Sequence, residues 1–486
     1  MKLLLSHKTP KVDLLFVLIH EGEPLGKEQK KHLGSESTKL IEKHLKAKDF
    51  EGGHGEMLQL FPNSGSAKKI ILLGRGKKNK PKISALEQLG GMAAGASKKY
   101  KAKSAAVILE AEEAHAFGSG FALGNYEFKK YKKEDKKAVN FESLTFLSEA
   151  NKSSRSALQA LELFAESSSY VRNLVNTPTG DLNTVTLTEE AQALAKKWKL
   201  KLTVFDEKDL KKLGCGSLLS VGRGAEFPPR LLVLEYKHKS KAKHPNLAFV
   251  GKGIVFDTGG LNIKPTGYIE TMKQDMAGAA TVLGTFQAIA AAKLTGYFLG
   301  VMPLAENAVS EKATHPGDVV TSYTGKTIEV NNTDAEGRLI LCDALAYTED
   351  KWKPHAMVDI ATLTGAVSVA LGYNITGIMG NDHKLLNELK DAAKVSGERV
   401  WELPLDDDFV ELCKGSFTDL QNATDGVRAG SIMGGAFLKH FVKTTPWVHI
   451  DIGGTAWAEK PSSSTKHGAT SAGLRTLIEL GKMFSD

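Results

Sequence analysis

Short apolar runs broken by charged or glycine-rich punctuation divide the chain into alternating candidate strands and helices. Residues 12–19 (VDLLFVLI), 69–74 (KIILLG) and 104–110 (SAAVILE) are contiguous apolar stretches flanked by turn residues or charges, the pattern of buried strands. Between them, residues 37–47 space their apolar positions as a helix does. This alternation predicts a small α/β domain over residues 1–153. From Ser154 the run SRSALQALELFAESSSYVRNLVN keeps helical spacing until Asn176-Thr177-Pro178 stops it, predicting a connecting helix over 154–178.

Beyond Pro178 the alternation is more regular. Thr186-Leu187-Thr188-Glu189 reads as a capping box ahead of a helix to about Trp198. LKLTVFD then reads as a strand, DEKDLKKLG as a short helix closed by Gly214, and RLLVLEY as a further strand. NLAFVGKG is expected to be a strand that runs into a long glycine-bearing loop, 251–265. An Ala-rich helix (MAGAATVLGTFQAIAAAK) and a strand (LGVMPLAEN) follow. The predicted fold class is α/β: a smaller N-terminal domain, a connecting helix, and a larger domain over 179–486 with a central mixed sheet flanked by helices.

Length supports the division, because 486 residues exceed what one hydrophobic core serves, and 42% hydrophobic content suffices for large cores. Three cysteines, Cys215, Cys342 and Cys413, show no ligand spacing and fit a reducing compartment, each as a small buried hydrophobe. His7, Lys8, Pro10, Lys11 and Asp13 interrupt the N-terminal apolar run, and no stretch reaches the ~18 apolar residues of a membrane span. The expected location is cytoplasmic, with no membrane partner. The net charge of +8 is uneven: residues 1–150 hold 27 Lys and Arg against 18 Asp and Glu. Arg75 is the one arginine among them, so this face offers point charges rather than base-reading forks. It reads as a solvated lysine coat, with non-specific nucleic-acid contact as the second reading.

Several motifs are excluded. Leu73-Gly74-Arg75-Gly76-Lys77-Lys78 lacks the first glycine and the Ser/Thr of a phosphate loop, and Gly325-Lys326-Thr327 has Val320 where such a loop needs glycine. Phe256 stands where a dinucleotide fingerprint requires glycine, and neither HExxH nor GxSxG occurs. What remains is polar chemistry in apolar surroundings. Lys252, Asp257 and Lys264 lie in the 251–265 loop, Asp275 immediately precedes the Ala-rich helix, and Asn331-Asn332-Thr333-Asp334-Ala335-Glu336-Gly337-Arg338-Leu339 sets two carboxylates and a guanidinium within five residues. Asp334 and Glu336, at i and i+2, face one side if their backbone is extended, a spacing that suits a shared metal. On residue type alone Lys252 reads as a salt-bridge partner.

GKGIVFDTGGLNIKP, MKQDM and NNTDAEGRLIL, in that order and spacing, resemble the diagnostic segments of the leucyl aminopeptidase family, the cytosol aminopeptidases also called aminopeptidase A. RNLVNTP, ATLTGA and HIDIGGTAW extend the likeness over residues 165–480. The resemblance implies a dinuclear metallo-exopeptidase acting on peptide N-termini through a hydroxide that bridges two divalent metals. Lys252, Asp257, Asp275 and Glu336 would hold one metal; Asp257, Asp334 and Glu336 the other, with the Asp334 carbonyl also offered. Lys264 and Arg338 would be catalytic non-ligands, Lys264 for the oxyanion and Arg338 for a bicarbonate also touched by backbone at Gly337 and Leu363. Met272, Thr362 and Gly365 match pocket positions, implying leucine or another uncharged side chain. The implied assembly is a homohexamer.

The donor set agrees with that implication, because four carboxylates and two divalent cations are nearly neutral together and oxygen-rich ligation suits Mn²⁺, Zn²⁺, Mg²⁺ or Co²⁺. The chain departs from the family at Thr258, often serine, and at Gly453 and Cys342, often alanine. The Cys342 thiol would make the chain sensitive to oxidants. Two functions stay open on sequence: a metal-dependent aminopeptidase, and a nucleic-acid-binding or regulatory protein acting through the basic N-terminal domain.

Overall fold

The alternation of apolar runs resolves into two α/β units, Met1–Glu166 with Glu459–His467 and Ser167–Ala458 with Gly468–Asp486. They are seen in a computed structural model that describes residues 1–78, 83–110, 113–133, 139–148 and 151–486. The division falls inside one helix, Lys152–Asn176, and the excursion 459–467 leaves and rejoins the second unit between the paired strands Trp457–Ala458 and Gly468–Ala469.

The first unit is built on a six-stranded sheet in the order Lys2–Ser6, Ser143–Leu147, Ser104–Ile108, Val12–Ile19, Ala67–Gly74, Met57–Leu60. All neighbours are parallel except Met57–Leu60, which is antiparallel at the edge. Val12–Ile19 is central, and its nearly unbroken apolar sequence follows from burial on both faces. The helix expected over 37–47 begins at Lys27 and runs to Lys46, broken at Gly34, whose φ of 73° an L-residue rarely adopts. Helices Ile83–Lys99 and Ala114–Asn125 approach closely through glycine: a Cβ on Gly120 would run into the Glu87 carbonyl oxygen.

In the second unit the main sheet runs Val400–Glu402, Thr376–Gly380, Trp447–Asp451, Met357–Ala361, Leu247–Gly251, Gly296–Asn307, Arg230–His238, Lys201–Phe205. The middle of this sheet is parallel: Trp447–Asp451, Met357–Ala361, Leu247–Gly251 and Gly296–Asn307 all run the same way. Their carboxyl ends therefore open on one edge, where α/β sheets place ligands. Residues 253–257, expected in a loop, form a further strand, Gly253–Asp257. It pairs with the second half of the twelve-residue strand Gly296–Asn307, whose first half pairs with Leu247–Gly251. The long strand offers more ladder than one partner fills, so the chain re-enters the sheet after a break at Lys252.

Two local expectations need correction. The helix Thr184–Trp198 starts earlier than its predicted box. Asn183 is the cap, and its side-chain Oδ1 accepts the Val185 and Thr186 amides while Thr186 Oγ1 accepts the Asn183 amide. Cys342 is fully buried, and burial lifts its thiol well above the usual range, so it offers oxidants neither access nor thiolate. The short helix Glu207–Leu213 ends at Gly214 in the left-handed conformation, as predicted. Among the described residues no helix is long and apolar enough to cross a membrane.

The glycine contact between the two helices of the first unit is testable. Gly120→Ala is expected to lower stability by about 1–3 kcal/mol, read as an earlier denaturant midpoint. Gly95→Ala, on the same helix pair with nothing within 4 Å of its Cβ position, should leave the midpoint unchanged or raise it.

Candidate metal centre

Every candidate ligand arrives from the carboxyl edge of the parallel strands or from a helix start beside it. Lys252 follows Leu247–Gly251 at the break between two strands; its amide donates to Ile360 O at 3.1 Å and its carbonyl accepts from the Ala279 amide at 2.8 Å. Asp257 ends Gly253–Asp257. Asp275 lies near the end of the 3-10 helix Ile269–Met276, directly ahead of the buried helix Ala277–Ala292. Glu336 is the first residue of the helix Glu336–Trp352, where the helix dipole favours a carboxylate.

The extended backbone expected at Asp334 and Glu336 is not found. Asp334 sits in a turn pinned by the Asn332 side chain, which accepts the Asp334 amide at 2.8 Å, and a helix starts two residues later. The two carboxylates still converge, now through the turn from loop into helix. Carboxylate oxygens of Asp257, Asp334 and Glu336, one from each, lie within 4.8 Å of one another.

Two ammonium groups knit the acids together. Lys252 Nζ lies 2.8 Å from Asp275 Oδ1 and 2.8 Å from Glu336 Oε1, and donates to Thr362 O at 2.8 Å. Lys264 Nζ lies 2.9 Å from Asp257 Oδ2 and 2.6 Å from Asp334 Oδ1. Lys252 is thus the salt-bridge partner its residue type suggested, with only 2% of its surface exposed. Gly337 makes room for it, since a Cβ there would lie 2.5 Å from Lys252 Cε.

Burial and like charge set the protonation. Burial opposes the Lys252 and Lys264 ammonium groups, but the surrounding carboxylates outweigh it and raise both above the usual lysine value. Asp257 is pushed up to about 7 by burial and by repulsion from Glu336. Burial and the same crowding raise Asp275 and Asp334, whereas the two lysines hold Glu336 below its ordinary value despite its burial.

The other expected residues lie around this core. Thr362 joins it directly, its hydroxyl donating to Asp275 Oδ1 at 2.7 Å. Arg338, in the first turn of its helix, donates from Nη1 to Asn422 O at 2.7 Å. The Leu363 amide, expected to face an anion, donates to Asp451 Oδ1 at 3.1 Å. The Gly337 amide is in the first turn of its helix, among those with no intrahelical acceptor. Met272 is half-buried in the Ile269–Met276 helix and Gly365 precedes the helix Ala366–Leu371. Among the described residues no hydrogen bond ties either to the carboxylates.

Sequence gave little sign of the supporting amides. Asn307 Nδ2 donates to Asp257 Oδ1 and to Thr333 O, at 2.8 and 3.0 Å. Asn262 and Thr333 lock together, the Thr333 amide on Asn262 Oδ1 and the Asn262 amide on Thr333 Oγ1. Asn422 accepts the Asn331 and Asn332 amides. The signal for Asn307 was its place, a lone amide closing an apolar strand; Asn422 lies in a loop with no such mark.

Comparison with known proteins agrees with this geometry. The description "Cytosol aminopeptidase family, catalytic domain" matches residues 169–478, and its N-terminal domain counterpart matches residues 16–135. The cytosol aminopeptidase of Pseudomonas aeruginosa is 39% identical over 466 residues, 93% of each chain. A probable cytosol aminopeptidase of Brucella ovis is 38% identical over 483 residues, 97% of this chain and 96% of its own. A tomato leucine aminopeptidase mutant superposes with a TM-score of 0.88 at 32% identity, over 99% of this chain and 96% of that one. The bottromycin maturation enzyme BotP in complex with Mn superposes at 0.86 and 28% identity, over 98% and 100%. Fold, both domains and near full-length relatives agree: the chain belongs to the cytosol aminopeptidase family and is a hydrolase of peptide N-termini.

Proposed function

We propose that this aminopeptidase uses two divalent metals and prefers leucine and other uncharged N-terminal residues. The observation that carries the reading is the convergence of the buried Asp257, Asp275 and Glu336 and the half-buried Asp334 on two lysines. The donor set fits cations: Asp275 Oδ2 and Glu336 Oε2 are buried with no hydrogen-bond partner. Three buried carboxylates and the half-buried Asp334 are also only half balanced by the two ammonium groups. Lys252, which could ligate only as the neutral amine left when a binding cation displaced its ammonium proton, would join Asp257, Asp275 and Glu336 around one ion; Asp257, Asp334 and Glu336 would hold the other, together with the Asp334 carbonyl. Hard oxygen ligands favour Mn²⁺ or Zn²⁺, with Mg²⁺ or Co²⁺ also suited, and the Mn complex of the BotP neighbour supports manganese. Ions held by these residues would supply Lewis acidity, for activating a water and polarising a peptide carbonyl.

The chain's own residues supply the rest. Lys264, with its ammonium held protonated by Asp257 and Asp334, is placed to stabilise negative charge developing on the scissile carbonyl oxygen. Arg338 cannot act as a base and instead orients an anion, for which bicarbonate is the candidate, beside the Gly337 amide and the 362–365 loop. Leu363 contributes its backbone there once its amide turns from Asp451. Met272, Thr362 and Gly365, uncharged or small, would line the side-chain pocket. The family's hexamer and a cytoplasmic setting complete the proposal.

Hydrolysis of leucine p-nitroanilide tests the reading. Activity should vanish on chelation and return with Mn²⁺, and N-acetyl-leucine p-nitroanilide should not be cleaved; full activity of chelated, metal-free protein would overturn the proposal. Asp334→Ala should cost more than about 100-fold in kcat with an unchanged far-UV spectrum. Lys264→Met should lower kcat about 100-fold or more while metal content, measured by elemental analysis, stays at the wild-type value.

A further inference from the structure

A fifth acid stands beside the carboxylate cluster without belonging to it. Asp451 ends the strand Trp447–Asp451, is fully buried, and pairs in register with Ala361, the last residue of Met357–Ala361. Residues 362–365 leave the sheet at that point, so Asp451 sits at the root of their loop. Backbone and hydroxyl donors converge on it. Oδ1 accepts the Gly453 amide at 3.0 Å and the Leu363 amide at 3.1 Å, with the Thr364 amide at 3.5 Å, and Oδ2 accepts the Thr364 hydroxyl at 2.6 Å. Gly453 lets the loop come this close, since a Cβ there would lie 2.4 Å from Thr364 O.

A carboxylate suits the position because it accepts on both oxygens and donates from neither, whereas asparagine would turn an N–H on one of these donors. Its burial is costly without such partners, and they are all drawn from the loops beside the cluster. Thr364 is fixed in turn: its oxygen accepts the Val367 amide at 3.2 Å and lies 3.1 Å from Ser431 Oγ. Two residues earlier in the same loop, Thr362 touches the cluster from both its side chain and its main chain. The hydroxyl donates to Asp275 Oδ1 at 2.7 Å, and the carbonyl accepts Lys252 Nζ at 2.8 Å. Asp275 Oδ1 and Lys252 Nζ are themselves 2.8 Å apart, so Thr362 closes a triangle with them. The other side of the cluster is braced elsewhere. Asp257 takes the Gly259 amide and Asn307, and the Asp334 amide is held by Asn332; among the described residues no hydrogen bond joins the 362–365 loop to either acid. Were the Leu363 amide to turn toward an anion, the Gly453 amide and the Thr364 hydroxyl would still occupy both Asp451 oxygens.

We infer that Asp451 is a positioning residue for the aminopeptidase reaction: by gripping the Thr364 hydroxyl it fixes the 362–365 loop, so that Thr362 orients Asp275 and Lys252 toward one of the two ions. The inference rests on the two-ion reading. Calorimetric titration of the chelated protein with Mn²⁺ tests it, and the wild type is expected to show two binding steps. Thr364→Val keeps the shape and removes the hydroxyl; it should weaken one step about tenfold and leave the other within about twofold. Thr364→Ser, which retains the hydroxyl, should keep both steps within about threefold of wild type. Should Thr364→Val fail to fold, Asp451→Asn is expected to weaken the same single step about threefold or more. Two wild-type steps that the variants leave unchanged or weaken alike, or equal losses in Thr364→Val and Thr364→Ser, would overturn the inference while leaving the two-ion reading intact. A wild type that takes up one Mn²⁺ or none would remove that reading, and this inference with it.

Discussion

Four carboxylates crowded together, three of them buried and Asp334 half-buried, repel one another, and much of the second unit can be understood as the means of keeping them there. Lys252 bears the largest share. Its ammonium reaches Asp275 and Glu336 from opposite elements, and its backbone is fixed on both sides, by Ile360 O and the Ala279 amide. A lysine that penetrates so deeply needs bare backbone around it. Gly337 leaves space for its side chain, and Gly278 for its main chain, since a Cβ there would lie 2.8 Å from Lys252 N. Two glycines and a strand break thus trace to one requirement: a cation must reach the centre of the acids without displacing them.

That requirement explains which parts of the site could be read from sequence. Lys252, Asp257, Asp275, Asp334 and Glu336 are charged residues in apolar or glycine-rich surroundings, and such contrasts are visible without coordinates. The convergence of Asp334 and Glu336 was expected on a wrong backbone: i, i+2 alternation in a strand and a turn entering a helix both bring the carboxylates to one side. The 253–257 strand was hidden because glycine at 251 and 253 reads as loop, while the pairing that makes it a strand comes from the far half of Gly296–Asn307. The Thr184–Trp198 cap was misjudged for a related reason. Two overlapping polar sets could serve as the box, and the one led by Asn183 fixes the helix start.

The parallel core and the chemistry at its edge are also linked through direction. Parallel strands release their chains on the same side, so Lys252, Asp257, Asn307, the 362–365 loop and Asp451 reach one region although they are separated by up to two hundred residues. The helices on the faces contribute their amino ends, with Glu336 opening one helix and Asp275 immediately preceding another. Strand ends supply position and helix starts supply a favourable field for negative charge.

Between these ends the supporting residues are amides rather than further acids, and charge accounts for the choice. Asn307 donates to Asp257 Oδ1 while also holding Thr333 O, bracing Asp257 and the turn before Asp334 with one neutral group. An aspartate there would lose both donations and add a fifth negative charge beside a carboxyl already pushed up to about 7. Asn422 serves the 331–332 backbone in the same neutral way, accepting two amides and donating to Asn332 O at 2.7 Å. Asp451, the acid in this supporting set, is spent on the Leu363, Gly453 and Thr364 groups. The negative charge thus stays concentrated on Asp257, Asp275, Asp334 and Glu336, where the two lysine ammonium groups face it.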